Sequence, residues 1–237
     1  MLLEKMLQSQ GFGSRKECQR LIKEGHVRIN DAICDQPKQK IQTEHLAFQV
    51  FGEHYQFREK IYIALNKPQG FECSHQPQYH QSVFALFPEM LIQRNLQCVG
   101  RLDQDTTGLL LLTDDGQFLQ ALTHPRKHVA KVYRVTTADP ITPAQLESLT
   151  SGVELRNEEG IYRATNVQQL AEYQLEMTIH QGLYHQVKRM IAAVGNKVVQ
   201  LHRQQIGQLT LPSDLAESDW YYLSEQDIQL AKTQDLL

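Results

Sequence analysis

Four consecutive leucines at residues 109–112 constrain the fold of this chain more than any other feature of its sequence. A short, fully apolar run of this kind is typical of a β-strand that is buried on both faces. The loop before it, at residues 100–108, carries two aspartates and two threonines. We therefore predict that Asp103 is held at the edge of a buried sheet, in the partly fixed and partly open setting that a reactive carboxylate needs.

The composition is that of an ordinary globular protein. Of the 237 residues, 41% are hydrophobic and 22% are charged, which is enough apolar material for a substantial core. No apolar run approaches the length of a membrane span, and Glu4 and Lys5 interrupt the leucines of the first segment. We expect a cytoplasmic protein without a membrane partner.

The cysteines give no sign of a metal centre or of disulfide bonds. They lie far apart, at positions 18, 34, 73 and 98, and no Cys-x-x-Cys pair occurs. Because zinc sites and disulfide frameworks both have recognisable spacings, we expect buried free thiols instead.

Charge is distributed unevenly along the chain, although the formal net charge is only −3. Residues 180–207 contain four lysines and arginines and no acid, and residues 124–134 likewise contain four, among them Arg126. From residue 214 onward there are six acids, of which Asp235 is the last, against a single Lys232. Since local charge neutralises phosphates, the basic segments favour a nucleic-acid partner.

The first sixty residues have the pattern of a separate module. Apolar residues at helical spacing predict a helix that stops before Gly11, and Ser14 with Glu17 has capping-box spacing at the start of a second helix. Residues 26–29 then alternate as a strand. One side of the second helix is basic, through Arg15, Lys16, Arg20 and Lys23. A solvated helix face explains this basic side equally well.

This module resembles the S-four RNA-binding domain over about residues 1–45. The residues that carry the resemblance are Ser14-Arg15-Lys16, the basic helix, Gly25 and Val27-Arg28-Ile29-Asn30. In that family the helix and the loop after it lie on RNA. The resemblance implies an RNA-binding domain with its linker at residues 1–58, and RNA contacts from Arg15, Lys16, Arg20, Lys23 and Arg28.

The remainder, residues 59–237, has the pattern of a larger α+β unit. A turn is predicted at residues 66–70, strands at 61–65, 109–112, 132–135, 164–167, 175–179 and 208–211, and helices at 117–122, 143–149 and 184–194. Strands outnumber helices and do not alternate with them. The pattern favours a mostly antiparallel mixed sheet flanked by helices over a doubly wound fold, with the small N-terminal α/β module beside it in the sequence.

Two kinds of protein share part of the aspartate-loop pattern. Asp103-x-Asp105-x-Thr107-Gly108 followed by Asp114 matches a calcium-binding loop, but such loops need flanking helices, and here leucines occupy the middle. Asp-x-Asp-x-Thr also occurs in phosphotransferases that form an aspartyl-phosphate. There the apolar strand comes before the aspartates, whereas here it comes after them.

The same segment resembles the signature of RNA pseudouridine synthases, in particular the RsuA-type branch, which has an N-terminal S-four domain and modifies small-subunit 16S rRNA. The matching residues are Gly100-Arg101-Leu102-Asp103, Gly108-Leu109-Leu110 and Thr113-Asp114-Asp115-Gly116. Further segments agree in the expected order, namely Leu65-Asn66-Lys67-Pro68, Lys131-Val132-Tyr133 and residues 182–190. The one departure is Leu183, where the family commonly has arginine or lysine.

The resemblance implies the pseudouridine synthase fold and the isomerisation of an everted uridine to pseudouridine. The uracil is detached from its ribose, rotated and rejoined through carbon 5 without a redox change, so no cofactor and no metal are expected. Asp103 is the implied catalytic carboxylate. Asp103 could start the reaction in two ways, and both stay open. It could attack the anomeric carbon or ring carbon 6, or it could stabilise charge on the sugar while a proton is removed from the ribose.

Burial disfavours an ionised carboxylate, so a cation is expected beside Asp103. Lys188 lies at the margin of the apolar face of the predicted helix 184–194 and is the candidate. In the family the basic residue at this position pairs with the aspartate. The resemblance implies that Tyr133 packs against the target uracil and relays the final proton, although a place in the core is the commoner fate of such tyrosines.

The remaining candidate residues are expected to contact RNA. Arg101 would enter the gap left by the everted uridine or contact a phosphate. His185 and Gln186 are expected to orient their loop and, with Arg189, to meet the RNA.

These patterns predict a monomeric rRNA uridine isomerase. Its expected partner is 16S rRNA or a partly assembled small ribosomal subunit, with no nucleotide cofactor. The chief alternative is a non-catalytic RNA-binding factor for ribosome assembly, and an aspartate-dependent phosphotransferase is a distant third. The presence of Asp103, Tyr133 and Lys188 together favours the enzyme.

Overall fold

The computed structural model describes residues 1–124 and 127–233, so that Arg126 and Asp235 of the charged segments lie outside the described residues. The chain divides into two compact units. The first comprises Met1–Ile61 and Ala85–Gln97, and the second comprises Tyr62–Phe84 and the described residues from Cys98 onward. Within the described ranges, no helix is both long enough and apolar enough to cross a membrane.

The first unit packs short helices against a four-stranded sheet. The helices are α1 (Leu3–Ser9), α2 (Arg15–Lys23) and α3 (Glu89–Ile92). The strands are β1 (Val27–Ile29), β2 (Ala32–Ile33), β3 (Ala47–Val50) and β4 (Glu53–Gln56), paired antiparallel in the order β2-β1-β3-β4. The capping box predicted for α2 is confirmed: the Glu17 N–H donates to Ser14 Oγ, and the Ser14 N–H donates to the Glu17 carboxylate at 2.7 Å.

The second unit is built on one mixed sheet, and the following elements complete the chain. The strands are β5 (Tyr62–Lys67), β6 (Phe71–Glu72), β7 (Gln81–Ser82), β8 (Gln97–Val99), β9 (Thr106–Thr113), β10 (Lys131–Thr137), β11 (Val153–Glu154), β12 (Ile161–Tyr162), β13 (Thr165–Ala171), β14 (Gln174–Ile179), β15 (Val198–Ile206), β16 (Leu209–Thr210) and β17 (Trp220–Tyr222). The helices are a 3₁₀ turn (Val83–Leu86), α4 (Gly116–Thr123), α5 (Pro143–Ser151), α6 (Gln186–Ala193) and α7 (Glu225–Lys232).

The main sheet has the strand order β13-β14-β10-β15-β9-β5-β17. Every neighbouring pair along it is antiparallel except β9 with β15, which run parallel. The predicted α+β class with a mostly antiparallel mixed sheet is therefore confirmed. The single parallel pair is what brings the start of β9, and with it the aspartate loop, beside the middle of β15.

The leucine run forms the buried strand that its composition predicts. All four leucines of β9 are 0% exposed, and Leu109 and Leu111 pack with Ala64, Phe118 and Ile206. The helix after the strand begins at Asp115, whose carboxylate accepts the Gln117 N–H at 2.9 Å. This strand therefore anchors the loop in front of it to the centre of the sheet.

Several local predictions were wrong. Asn66 and Lys67 continue β5 instead of opening a turn. The helix predicted at 184–194 begins only at Gln186, because His185 has a left-handed backbone with φ of +50°. The strand predicted at 208–211 shrinks to two residues, while the nine-residue β15 before it went unrecognised. Of the four free thiols, Cys18 and Cys34 are buried, but Cys73 and Cys98 are only partly so.

The contact between β9 and β15 depends on the lack of a side chain at Gly108. Its φ is +100°, and an added Cβ would lie 2.3 Å from the backbone oxygen of Arg203. Gly108→Ala should lower the free energy of unfolding by about 1–3 kcal/mol from backbone strain alone, with a further loss from the clash. Urea unfolding measures this change.

Gly116 provides the matched control. It lies at the start of α4, its φ is not left-handed, and nothing lies within 4 Å of an added Cβ. Gly116→Ala should therefore leave stability unchanged or raise it by about 0.4–1 kcal/mol. Equal urea midpoints for the parent and Gly108→Ala would contradict the described approach of the two strands.

Candidate active site

The aspartate loop is held from beneath by Lys67, the last residue of β5. This lysine is 0% exposed, and its ammonium donates to the carbonyl oxygens of Pro68 at 3.0 Å, Asp103 at 3.1 Å, Gln104 at 3.4 Å and Thr106 at 3.0 Å. Burial lowers the pKa of Lys67, against the opposing effect of nearby negative groups. The hydrogen bonds fix the backbone of the loop at Asp103 and just after it.

Asp103 lies between two side chains of the α6 segment. Its Oδ2 is 3.0 Å from Lys188 Nζ, and its Oδ1 is 3.2 Å from His185 Nε2. The carboxylate side chain is 29% exposed, so that it is enclosed on one side and open on another. The cation expected beside Asp103 is thus in place, and a second partner that we did not assign to the carboxylate, His185, contacts its other oxygen.

Asp105 shares the same lysine. Its Oδ1 accepts a hydrogen bond from Lys188 Nζ at 2.6 Å, and its side chain is 43% exposed. Burial acts to raise the pKa of Asp105, but the hydrogen bond and positive charge of Lys188 outweigh it and the pKa is lowered. Burial acts to lower the pKa of Lys188, but its bonds to Asp105 and Asp103 raise it. The lysine therefore stays charged between two carboxylates at neutral pH.

Helix α6 positions Lys188 through its packing. Val187, Met190 and Ile191 are buried, which leaves Lys188 at the edge of the buried face. The left-handed backbone of His185 turns the chain just before the helix. Gln186 is 3% exposed and holds the turn, since its Oε1 accepts the Leu183 N–H at 3.2 Å. These contacts support a loop-orienting role for Gln186.

The basic side chains proposed to contact RNA differ in whether they already form ion pairs within the protein. Arg189 pairs with Glu158 at 3.0 Å and also donates to the carbonyl oxygens of Tyr184 and Arg156. Arg15 pairs at 2.7 Å with Glu4, which is 0% exposed. Arg15 is nevertheless 60% exposed, and the side chains of Arg101, Lys16, Arg20, Lys23 and Arg28 are exposed as well.

Tyr133 is placed differently from the other candidates. It is 7% exposed on β10, directly opposite Arg203 on β15, and the Arg203 Nη1 lies 3.5 Å from its hydroxyl. Its hydroxyl makes no hydrogen bond to Asp103 or Asp105 among the contacts of the described residues. Tyr133 therefore lies in the buried sheet, in the row that runs through Arg203 to Gly108 at the end of the loop, and outside the carboxylate and lysine cluster.

Arg203 is a residue whose position the sequence did not reveal. It is 2% exposed, its Nε donates to the Leu109 carbonyl oxygen at 2.8 Å, and its Nη2 has no hydrogen-bond partner within the described ranges. In the sequence it is distinguished only as part of the basic segment at residues 180–207. A buried guanidinium with an unsatisfied donor is costly, and this one lies between Tyr133 and the strand that follows the aspartate loop.

No group of three or more His, Cys, Asp or Glu residues is arranged to hold a metal ion in the part of the chain that is described. What the arrangement offers is a half-exposed carboxylate with a fixed ammonium beside it. Such a group is suited to nucleophilic or charge-stabilising chemistry.

Comparisons with known proteins agree with this geometry. A family model described as RNA pseudouridylate synthase matches residues 61–193, and one described as S4 domain matches residues 1–46. The chain is 40% identical to ribosomal small subunit pseudouridine synthase A of Vibrio cholerae, over 96% of this chain and 98% of that protein. It is 39% identical to the protein of the same name from Escherichia coli K12, with the same shares covered.

Solved structures give the same result. A crystal structure described as a pseudouridylate synthase superposes with a TM-score of 0.69 at 36% identity, over 98% of this chain and 99% of that one. A chain in an H/ACA ribonucleoprotein bound to a substrate RNA superposes with a TM-score of 0.50 at 18% identity, over 66% of this chain and 50% of that one. The second likeness shows the fold alone.

The shared lysine yields a pH prediction. Because the pKa of Asp105 is lowered in the folded chain, its pairing stabilises the fold above the ordinary value of 3.8 and is lost as pH falls through the lowered value. Lys188→Met removes the cation and leaves burial, so the pKa of Asp105 should rise. Carbon-13 NMR titration of the aspartate carboxyl groups measures it. Lys188→Arg keeps the charge and should keep the lowered pKa; an unchanged titration in Lys188→Met would contradict the described pairing.

Proposed function

The chain belongs to the RNA pseudouridylate synthase family, and from that premise we propose that it isomerises a uridine of small-subunit ribosomal RNA to pseudouridine with Asp103 as its catalytic carboxylate. The observation that carries the proposal is the fixed pair of Asp103 Oδ2 and Lys188 Nζ at 3.0 Å, on a loop held by the buried Lys67. The choice of ribosomal RNA is supported by relatives named for the small ribosomal subunit.

Asp103 is the better candidate of the two carboxylates. It is less exposed than Asp105, at 29% against 43%, and each of its oxygens has its own partner. Asp105 is held by the same lysine and lies further toward solvent. We therefore propose that Asp103 is the reacting carboxylate. Asp105 and Lys188 would keep the local charge balanced.

The reaction exchanges one bond of the ribose for another. The bond from the anomeric carbon to uracil N1 breaks, a bond from that carbon to C5 forms, and the proton on C5 is lost while N1 gains one. An ionised carboxylate serves each of the open routes, whether it attacks carbon or stabilises charge on the sugar. Lys188 pairs with Oδ2 of Asp103, and His185 fixes the orientation of its Oδ1.

The base must leave its stack for any of these steps to occur. We place Tyr133 against the everted uracil, since it lies on β10 in the row that runs through Arg203 to Gly108 at the end of the aspartate loop, and we place the exposed Arg101 in the gap that the uridine leaves. Arg203 would keep the Tyr133 hydroxyl in position from the neighbouring strand.

Binding of the larger RNA is assigned to the N-terminal module, with a boundary proposed between residues 58 and 59. The S4 match over residues 1–46 supports this assignment. We propose that the protein acts as a monomer in the cytoplasm, on 16S rRNA or a partly assembled small subunit. Arg28, Arg189 and His185 complete the proposed set of RNA contacts.

The first test replaces the carboxylate. Asp103→Asn keeps the size of the side chain but removes its charge, so it should reduce pseudouridine formation at least about a thousandfold while RNA binding stays near that of the parent. Carbodiimide mapping of small-subunit rRNA after incubation locates the product as a reverse-transcription stop.

Two further variants sharpen the result. Asp105→Asn should retain measurable modification, because Lys188 still faces Asp103, and Glu147→Gln changes an exposed acid on α5 and should behave as the parent. Modification by Asp103→Asn at the parental rate would refute the role of Asp103. RNA binding by the parent without any modified uridine would instead favour the assembly-factor alternative.

The second test concerns the basic face of α2. Replacing Lys16, Arg20 and Lys23 together by glutamine removes up to three phosphate contacts, so the slope of log binding constant against log salt should become shallower by about 2–3. Filter binding at several salt concentrations gives the slope. The matched control is Lys5→Gln with Lys38→Gln and Lys40→Gln, three lysines outside α2; a slope that changes equally in both triple variants would contradict the assignment.

A further inference from the structure

Tyr184 is an exposed aromatic residue next to the aspartate loop. It is 71% exposed, and its ring stacks on the ring of His185 with centroids 3.7 Å apart and planes inclined by 20°. The Nε2 atom of the same histidine is 3.2 Å from Asp103 Oδ1. One face of the tyrosine ring is therefore covered by a neighbour that contacts the carboxylate, and the other face is open to solvent.

The backbone that bears this ring is fixed. The Tyr184 carbonyl oxygen accepts a hydrogen bond from Arg189 Nη1 at 3.3 Å, and Arg189 is itself held by Glu158 at 3.0 Å. The residue before it, Leu183, donates its N–H to the buried Gln186 side chain at 3.2 Å. Since the segment is already ordered, the protein loses little conformational entropy when a ligand stacks on the ring.

Folding does not account for the position of the ring. A single exposed aromatic residue is common on protein surfaces and by itself indicates nothing. Here the ring is stacked, its backbone is fixed, and only His185 lies between it and Asp103.

We propose that the open face of Tyr184 binds the base of the nucleotide adjacent to the target uridine, by stacking. This inference rests on the proposed function and deepens it. Eversion of the uridine leaves the neighbouring base without a stacking partner, and the tyrosine ring replaces that partner. Because His185 separates the ring from Asp103, the ring meets the neighbour of the target and not the target itself.

The expected ligand is an unpaired base of any identity. Every base has a π face, and stacking on an aromatic side chain tolerates sequence changes. Tyr184 would therefore select for a single-stranded nucleotide beside the target rather than for a particular base. This selection is a structural one, of the kind by which proteins recognise RNA loops and bulges.

The test uses short RNA fragments that contain the uridine modified by the parent protein. Tyr184→Leu removes the aromatic face and should raise KM about tenfold with kcat within about twofold, whereas Tyr184→Phe keeps the ring and should match the parent. Tyr173→Leu is the matched control, because this residue is 41% exposed and precedes β14, at the end of that strand opposite to the 180–185 segment.

A second set of fragments separates stacking from a structural role. In one fragment the nucleotide on the 5′ side of the uridine is abasic, and in another the nucleotide on the 3′ side is abasic. On one of these two fragments the KM of the parent should rise about tenfold. On that fragment the KM of Tyr184→Leu should be no higher than that of the parent, because the stacking partner is already absent. A structural effect of the substitution would persist on both abasic fragments.

The outcomes distinguish this inference from the proposed function. A parent protein that modifies no uridine overturns the proposed function and this inference with it. An active parent together with an unchanged KM for Tyr184→Leu overturns the stacking alone. A rise in KM for Tyr184→Leu that is equally large on intact RNA and on both abasic fragments also overturns the stacking.

Discussion

The buried ammonium of Lys67 is the interaction on which the rest of the site depends. Removing a charge of this kind from water costs several kcal/mol. Hydrogen bonds to a charged group contribute about 1.5–3 kcal/mol each, so the short bonds to the carbonyls of Pro68, Asp103 and Thr106 offset that cost. What the chain gains is a loop whose backbone is fixed while the Asp103 side chain is left partly open to a ligand.

A second group of charged side chains, Lys188, Asp103 and Asp105, lies at this fixed loop. Lys188 lies between Asp103 and Asp105, so that one ammonium is paired with two carboxylates. His185 contacts the free oxygen of Asp103 and also carries the stacked ring of Tyr184. The same short turn before α6 therefore sets the orientation of the carboxylate and presents an aromatic face to solvent.

Local sequence patterns accounted for elements whose signals are short and regular. The capping box at Ser14, the helices α4 and α5 and the buried leucine strand all follow from spacing or composition. β15 was missed because its nine residues alternate poorly, with Gln, His and Arg among the apolar ones. Helix α6 begins two residues later than predicted, at Gln186, because the left-handed backbone of His185 has no reliable signal in a single sequence.

The sequence alone determined the class of the fold and the family, because these depend on local periodicity and on motifs that are contiguous in the chain. The tertiary structure decided which side chains meet. Lys67 reaches carbonyls 36–39 residues away, Lys188 reaches a carboxylate 83 residues away, and Arg203 meets Tyr133 70 residues away. Such contacts depend on strand order and on the parallel pairing of β9 with β15, which arise from the packing of the whole sheet and not from any one segment.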